Sequence, residues 1–364
     1  MIRKILLVGG GSAGHIFPAL AVACELRKLL PEAEFYYAVG EDGPEVDLVD
    51  PKQFQKVAVT AARTPLKKSA YPAFIWHNLK GVKRAQRVLK DIAPDIIFAA
   101  GGFMSAPILA AASLQGIPYY LHEQNAVAGK VTRLFSRGAK RVFTSFPETR
   151  GLEQLGTKTA YLGNPIRPGF LKQAEAKARL GLLPESKLFL ILGGSLGARY
   201  FNELISALSK TREWQKLKEE VDIQVKLVSG LVNSRTFAAD SLKDKAISVE
   251  EFVDTKVWMP AADLVLARAG SSLLMELAAC AKPAIIVPFP QAAEDHQRAN
   301  AASFAEQEAI VLREESELDA RMLVALIEEL SLEESRSAEL SCRINKLAKP
   351  QAAKDICEVI LSDI

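Results

Sequence analysis

Short apolar segments alternate with amphipathic helical segments along almost the whole chain, a pattern typical of parallel β/α layers. Predicted strands of a first series span residues 5–9, 34–39, 95–100, 119–122, 141–144 and 160–162. A second series spans 187–192, 224–229, 247–251, 264–267 and 284–287. The turn-rich segment 163–168 separates them. We therefore predict an α/β protein with two doubly wound parallel-sheet domains, residues 1–163 and 164–349, and a C-terminal helix at about 350–364 that packs back on the first.

Length and composition fit this organisation. A chain of 364 residues with 49% hydrophobic and 24% charged residues is globular and suits two domains. Its cysteines are far apart and form no CxxC pair, so neither a disulfide framework nor a zinc site is indicated. Residues 96–121 carry no charge, but internal glycines and prolines divide them into strand, turn, helix and strand rather than one membrane span. We expect a cytoplasmic protein.

Charge is distributed unevenly. Residues 1–163 contain 21 Lys+Arg against 13 Asp+Glu, and residues 51–90 contain ten basic residues and no acidic one. A basic block of this kind indicates an anionic partner. Aromatic and aliphatic residues interrupt it. We predict reversible attachment to an anionic membrane surface through Phe74, Ile75, Trp76 and Lys80. A core position for the aromatic residues is the alternative.

The first motif, residues 9–15 (GGGSAGH), joins a strand to a helix predicted over 16–30. Its glycines allow a tight turn, and the helix N-terminus favours negative charge. A GxGxxG dinucleotide fingerprint can be read here, but no acidic ribose partner is clear about 20 residues on. His15 stands at the positive end of the helix, which keeps an imidazole neutral and able to accept a proton. It is either a general base or a helix cap.

Three further segments follow predicted strands. Residues 101–107 (GGFMSAP) form a glycine turn, and residues 122–125 (HEQN) form a polar cluster that either lines a site or packs in the core. Residues 193–199 (GGSLGAR) form another glycine turn before a helix, suited to a phosphate. This turn lacks the Lys-Ser/Thr ending of a P-loop, so hydrolysis of nucleoside triphosphates is not expected.

The most specific motif is RAGSSLLME, residues 268–276. Ser271 and Ser272 stand where a helix begins, so their hydroxyls and free amides can hold phosphate. Glu276 lies about one turn further along, within reach of paired ribose hydroxyls. A solvated helix charge is the alternative for Glu276 alone.

Together these motifs, with GNPIR, EFVD, PFP and DHQRANA, resemble the MurG-type UDP-N-acetylglucosamine:lipid-linked N-acetylmuramyl-pentapeptide N-acetylglucosaminyltransferases of glycosyltransferase family 28. The resemblance covers almost the whole chain in the expected order. It implies the GT-B arrangement, with two Rossmann-like domains facing a cleft. The N-terminal domain would face the acceptor and the membrane, and the C-terminal domain would bind UDP-N-acetylglucosamine. The implied activity makes the second lipid intermediate of peptidoglycan on the cytoplasmic face of the membrane.

The resemblance also implies site residues. Donor-binding positions of the N-terminal half are Ser12, Ala13, Gly14, Asn125 and Arg167. Those of the C-terminal half are Ser195, Val253, Ser271, Ser272, Leu273, Leu274, Met275, Glu276 and Gln297. Asn125 and Gln297 would contact the sugar, Arg167 and Ser195 the diphosphate side, and Val253 the uracil through its backbone. Residues 271–276 would hold diphosphate and ribose. His15 matches the family's suspected general base.

The chain departs from the family pattern at a few positions. Ala13 replaces a glycine of the usual GGTGGH turn, which would cost about 1 kcal/mol if that position had a positive φ. The loop at 62–68 is unusual, and Leu273 stands where some members have threonine. These differences bear mostly on the acceptor side.

The implied reaction is an inverting single displacement of UDP by the C4 hydroxyl of the acceptor, giving a β-1,4 bond. No DxD-like acidic site stands out, so neither a metal nor another cofactor is expected. The alternatives are a UDP-N-acetylglucosamine 2-epimerase and a non-catalytic nucleotide-sugar-binding subunit. Nucleic-acid binding would explain the basic block but not the paired glycine turns, and we do not expect it.

Overall fold

A computed structural model describes residues 2–40, 45–65, 67–194, 197–230 and 244–363. The chain divides into two α/β units. An N-terminal unit comprises Met1–Arg167 with Lys349–Ile364, and a C-terminal unit comprises Pro168–Ala348. Each contains one parallel sheet, which confirms the predicted fold class. That the N-terminal domain faces the acceptor and the membrane, and that the C-terminal domain binds UDP-N-acetylglucosamine, stay predictions.

The N-terminal unit has a seven-stranded sheet in the order β3-β2-β1-β4-β5-β6-β7. Its strands are β1 Lys4–Val8, β2 Glu34–Val39, β3 Gln55–Ala58, β4 Ile96–Ala99, β5 Tyr119–Glu123, β6 Val142–Thr144 and β7 Thr159–Tyr161. Its helices are α1 Ala13–Leu29, α2 Glu45–Leu48, α3 Tyr71–Ile92, α4 Ser105–Gln115, α5 Lys130–Phe135 and the C-terminal α14 Ala352–Ser362, with 3₁₀ turns at Lys68–Ala70, Ser136–Gly138 and Glu153–Lys158.

Strand residues alternate between two hydrophobic cores, because successive side chains of a strand point to opposite faces of the sheet. Ile5 and Leu7 of β1 pack in one core with α1 and α14. Leu6 and Val8 pack in the other with α3 and α4. Helices on both faces explain why the central strands read as continuous apolar runs.

The uncharged stretch at 96–121 has the predicted succession of strand, turn, helix and strand, in β4, α4 and β5. Both strands are buried in the sheet, and α4 packs its apolar face on one side of it. In the described part of the chain, no helix combines the length and the hydropathy needed to cross a bilayer.

The C-terminal unit has a six-stranded sheet in the order β10-β9-β8-β11-β12-β13. Its strands are β8 Lys187–Leu192, β9 Ile223–Val228, β10 Ile247–Glu250, β11 Leu264–Ala267, β12 Ala284–Ile286 and β13 Val311–Leu312. Its helices are α6 Gln173–Arg179, α7 Arg199–Leu208, α8 Arg212–Glu220, α9 Thr255–Ala261, α10 Ser271–Ala279, α11 His296–Ala305, α12 Ala320–Leu332 and α13 Glu334–Lys346, with a 3₁₀ turn at Ala293–Asp295.

Two strands were missed in the sequence. Both β3 and β13 lie at a sheet edge and are partly exposed. Strand β3 (QKVA) contains no continuous apolar run, and β13 comprises only Val311 and Leu312. The region beyond residue 312 was predicted to be helical and polar, whereas α12 buries Leu323, Val324 and Ile327 in the core. Helix α1 begins at Ala13 and not at residue 16.

Parallel pairing places the carboxyl ends of all strands of a sheet along one edge. In the N-terminal unit the turns with chemically active residues follow β1, β4 and β5. In the C-terminal unit they follow β8, β11 and β12. Each unit therefore gathers its motifs along a single edge.

Candidate functional site

The first glycine turn lies between β1 and α1. Ser12 is the N-cap residue of α1, with extended backbone angles. Gly11 has φ +86°, and a Cβ added there would lie 2.6 Å from the Phe103 ring. The Gly11 amide donates to Glu45 Oε2 at 3.1 Å. This amide is therefore already occupied and is not offered to a ligand.

His15 lies between the glycine turns that follow β1 and β4. Its Nδ1 is 2.7 Å from Ser12 Oγ. A Cβ added to Gly101 would be 3.2 Å from His15 Cδ2, so the backbone of the second turn lies against the ring. When Nδ1 carries the proton and donates it to Ser12 Oγ, Nε2 keeps a lone pair and can act as a base.

Ala13 is the first residue of α1 and is not among the residues with positive φ. The strain that alanine would cause at a glycine-requiring position therefore does not arise. Gly14 follows within the same helical turn. The replacement of glycine at this position is compatible with the fold of the turn.

His122 at the end of β5 is fully buried. Its Nε2 is 3.2 Å from the Gly163 carbonyl oxygen and 3.3 Å from Ser145 Oγ. Burial, and to a lesser extent the nearby His15, lower the pKa of His122 to about 4, against the raising effect of the hydrogen bond to Gly163. His122 is therefore a neutral structural imidazole at physiological pH.

Glu123 is also buried, and burial raises the pKa of its carboxyl group. Its two oxygens accept from the backbone amides of Asn125, at 3.1 Å, and Gly129, at 3.0 Å. The carboxylate thus shapes the loop after β5. Of the HEQN cluster, only Asn125 is half-buried and not fully enclosed.

Arg167 is the last residue of the N-terminal unit in this part of the chain. Its guanidinium carbon lies 4.5 Å from the centre of the Phe17 ring. Phe17 belongs to α1, two residues after His15. The unit thus brings the predicted residues Ser12, His15 and Arg167 to the first turns of one helix.

In the C-terminal unit, α10 begins directly after β11 and the residues Arg268, Ala269 and Gly270. Gly270 is its N-cap residue, in an extended conformation. Ser271 and Ser272 open the helix as predicted, and the first amides of a helix have no partner inside it. A cavity of about 680 Å³ is lined by this turn and by the turn at 193–199, among others through Gly194, Gly270, Leu273, Phe289 and Gln297.

The predicted donor residues of this unit have different environments. Leu274 and Met275 are buried in the core and can offer only backbone groups. Glu276 lies one turn after Ser272 on the same helix, and Gln297 Oε1 accepts from the Phe289 amide at 2.9 Å. Val253 follows β10, is half-buried and does not line the cavity. Ser195 lies outside the described residues.

The sequence motifs indicate no role for Arg268 and do not include Glu315. Arg268 is buried and donates to the carbonyl oxygens of Val287, at 3.2 Å, and Pro288, at 3.1 Å. It also pairs with Glu315 and lies 4.7 Å from the Phe201 ring centre. These contacts fix the cavity wall formed by the loop after β12. The sequence places Arg268 at the start of a motif but gives no sign of its distant partner.

No cluster of three or more His, Cys, Asp or Glu side chains suited to a metal ion occurs in the described ranges. The groups predicted to bind phosphate in the two units are backbone amides, hydroxyls and an arginine side chain. These groups bind anions directly.

The chain shares its fold with nucleotide-sugar glycosyltransferases. The crystal structure of MurG from Acinetobacter baumannii matches with a TM-score of 0.76 and 27% identity over 99% of both chains. The calicheamicin glycosyltransferase CalG4 matches with a TM-score of 0.71 at 13% identity, covering 100% of this chain and 98% of the other, a likeness of fold alone. The fold is therefore GT-B-like.

The sequence places the chain within this class. The family model described as glycosyltransferase family 28 N-terminal domain matches residues 5–144, and the corresponding C-terminal domain matches residues 188–356. A relative from Listeria welshimeri serovar 6b is 33% identical over 98% of this chain and 99% of its own length. Another, from Halothermothrix orenii, is 33% identical over 98% of both. The chain belongs to glycosyltransferase family 28, and the predicted family is confirmed.

The pKa of His122 leads to a prediction about stability. An unfolded histidine titrates near pH 6.5, so the unfolded chain binds a proton before the folded chain does, and stability is lost as the pH falls from about 6.5 towards 4. Between pH 7 and pH 5 this loss amounts to about 2 kcal/mol. Urea unfolding of wild type and His122→Gln at both pH values measures it. The variant should lack this part of the acid loss, and equal losses in both proteins would contradict the assignment.

Proposed function

We propose that the protein transfers N-acetylglucosamine from UDP-N-acetylglucosamine to undecaprenyl-diphosphate-linked N-acetylmuramyl-pentapeptide, as a step of peptidoglycan synthesis. One observation carries the proposal. The Listeria welshimeri and Halothermothrix orenii relatives, similar from end to end, are both named UDP-N-acetylglucosamine--N-acetylmuramyl-(pentapeptide) pyrophosphoryl-undecaprenol N-acetylglucosamine transferase. The protein is accordingly a hexosyltransferase.

The donor is assigned to the cavity of the C-terminal unit. The amides and hydroxyls at the start of α10 bind the diphosphate, where the helix dipole favours negative charge. Gln297 contacts the sugar in this cavity. Glu276 accepts from the ribose hydroxyls and the backbone of Val253 binds uracil, both outside the residues that line the cavity. Stabilisation of the departing diphosphate by these groups lowers the barrier to displacement. Ser195 retains its predicted phosphate contact, outside the described residues.

His15 is assigned as the general base. The acceptor's C4 hydroxyl attacks the anomeric carbon, the bond to UDP breaks, and the proton of the hydroxyl moves to His15 Nε2. Ser12 holds the other ring nitrogen. Asn125 contacts the acetylglucosamine, and Arg167 supplies positive charge on the diphosphate side. Ala13 and Gly14 approach the donor with their backbone.

A UDP-N-acetylglucosamine 2-epimerase is the second candidate, since two solved epimerases share the fold with TM-scores of 0.72 and 0.69. At 14% and 15% identity, these two matches show a shared fold and nothing further. Release of UDP that depends on the lipid-linked acceptor separates the candidates, because an epimerase consumes no acceptor.

We expect His15→Ala to lower kcat by about 10²–10⁴-fold, the usual contribution of a general base, while UDP binding and folding stay unchanged. Acceptor-dependent UDP release measures kcat, and calorimetry measures UDP binding. His296→Ala is the matched control, a histidine at the start of another helix. Near-wild-type turnover of His15→Ala would assign His15 to helix capping instead.

Glu276→Ala should weaken UDP-N-acetylglucosamine binding by about 1–3 kcal/mol through lost charge-assisted hydrogen bonds. Calorimetric titration with the donor measures this change. Glu213→Ala removes a surface carboxylate of the same unit, in α8, and should leave the affinity unchanged. Equal donor affinity in wild type and Glu276→Ala would remove Glu276 from the site.

The membrane surface is assigned to the N-terminal half of α3. The buried stripe of this helix, at Gly81, Ala85, Leu89 and Ile92, begins only in its third turn. Before it, Ile75, Trp76 and Leu79 are 53%, 59% and 54% exposed, which argues against the alternative of a core position. Phe74 is half-buried beside Tyr71, and Lys80 lies 5.1 Å from the Trp76 ring centre. Apolar side chains beside basic ones fit an anionic bilayer, and each basic residue contributes about 1 kcal/mol there.

We expect the protein to sediment with anionic vesicles, weakly with neutral ones, and less as salt is raised. Replacing Ile75, Trp76 and Leu79 by serine should abolish sedimentation and leave UDP binding intact. Leu183→Ser with Met322→Ser is the matched control, since these side chains of the C-terminal unit are 59% and 44% exposed. Salt-independent binding, or sedimentation of the triple variant at the wild-type level, would contradict the assignment.

A further inference from the structure

We infer that Glu45 and Arg63 are positioning residues that clamp Gly11, one at its amide and one at its carbonyl oxygen, and thereby hold His15 in place for proton transfer. The inference rests on the proposed function, in which His15 is the base. Glu45 belongs to no sequence motif, Arg63 lies in the unusual loop at 62–68, and neither is assigned a contact with donor or acceptor.

Glu45 fixes the amide side of Gly11. Its side chain is fully buried at the start of α2. Oε2 accepts from the Gly11 amide and Oε1 from the Gly40 amide, each at 3.1 Å. A buried carboxylate is stable only when hydrogen bonds replace its water, so these two amides are held firmly. Glu45 therefore joins the end of β2 to the turn after β1.

Arg63 fixes the carbonyl side of the same residue. Its Nη2 donates to the Gly11 oxygen at 3.0 Å, and its guanidinium carbon lies 5.0 Å from the Phe103 ring centre. The chain just before Arg63 is anchored on α3. Arg84 Nη1 donates to Thr60 Oγ1 at 3.1 Å, and a Cβ added to Gly81 would lie 2.2 Å from the Thr60 oxygen. Arg63 thus reaches the turn from a fixed backbone.

The clamped residue controls the position of His15. Gly11 precedes Ser12, whose carbonyl oxygen accepts from the amide of His15 and whose hydroxyl contacts the ring. The second glycine turn closes the other side, since a Cβ added to Gly102 would lie 2.3 Å from the Gly10 oxygen. A shift of Gly11 therefore moves Ser12 and the His15 imidazole together. General-base catalysis is sensitive to small displacements of the base.

The test compares steady-state kinetics of wild type, Glu45→Gln and Arg63→Ala with the lipid-linked acceptor. Glutamine offers one acceptor oxygen and one NH₂ group, so one of the two amides loses its partner. We expect kcat to fall on the order of 10- to 100-fold in both variants. KM for donor and acceptor, and UDP affinity by calorimetry, should stay unchanged. The double variant should lose little more than the worse single variant, because both act through one residue, Gly11.

Arg27→Ala is the matched control, since Arg27 also lies over aromatic rings of the N-terminal unit, 4.8 Å from Phe35 and 4.9 Å from Phe54, at the far end of α1. It should leave kcat unchanged. Arg63→Lys keeps the charge and one donor, and should restore part of the activity. A raised acceptor KM with unchanged kcat in Arg63→Ala would make Arg63 an acceptor contact and overturn the inference, as would an equal loss of kcat in Arg27→Ala.

Hydrogen exchange gives a readout that needs no activity. The amides of residues 9–15 should exchange faster in Glu45→Gln and Arg63→Ala than in wild type, and Arg27→Ala should match wild type. Unchanged exchange in both clamp variants overturns the inference. An inactive wild-type protein would contradict the proposed function, while exchange would still decide whether the clamp exists. If Glu45→Gln fails to fold, the exposed Arg63 carries the test alone.

Discussion

Parallel strand pairing is the constraint on which the rest of this structure depends. Because every strand pair in the described part of both sheets is parallel, the chain returns between paired strands through crossover connections, and the carboxyl ends of a sheet lie on one edge. Glycine turns and helix N-termini consequently lie along this edge. The first amides of a helix have no partner within the helix. The chemistry follows from this placement. One edge supplies His15 beside two glycine turns, and the other supplies the start of α10 beside a cavity.

Three buried charged side chains, those of Glu45, Glu123 and Arg268, stabilise these edges and are assigned no ligand. Glu45 accepts hydrogen bonds from backbone amides around the first turn, and Glu123 from those of the loop after β5. Arg268 donates to carbonyl oxygens behind the cavity of the C-terminal unit. A charge removed from water requires such partners, so each one fixes the segment that it contacts. Neutral His122 completes the packing near His15. The reacting groups are therefore held by side chains that take no part in the chemistry.

Central strands could be predicted from the sequence because burial on both faces requires continuous apolar runs. The predicted bounds of β2, β8 and β11 agree with the structure residue for residue. The edge strands β3 and β13 were missed, because β3 lacks such a run and β13 comprises only two residues. The predicted position of Ser271 at the start of a helix likewise agrees with the structure, in α10. Glu45 and Arg63 were not, because their partner Gly11 lies 34 and 52 residues away in sequence and the contact exists only in the folded sheet.

The central claim is an inverting transfer of N-acetylglucosamine to the muramyl C4 hydroxyl, and the configuration of the purified product tests it most directly. The protein is incubated with UDP-N-acetylglucosamine and the lipid-linked muramyl-pentapeptide, and the glycolipid is analysed by NMR and mass spectrometry. The account predicts a β-1,4-linked N-acetylglucosamine and one UDP released for each glycolipid formed. An α-linked product, or an isomerised UDP-sugar with the acceptor unconsumed, would contradict it.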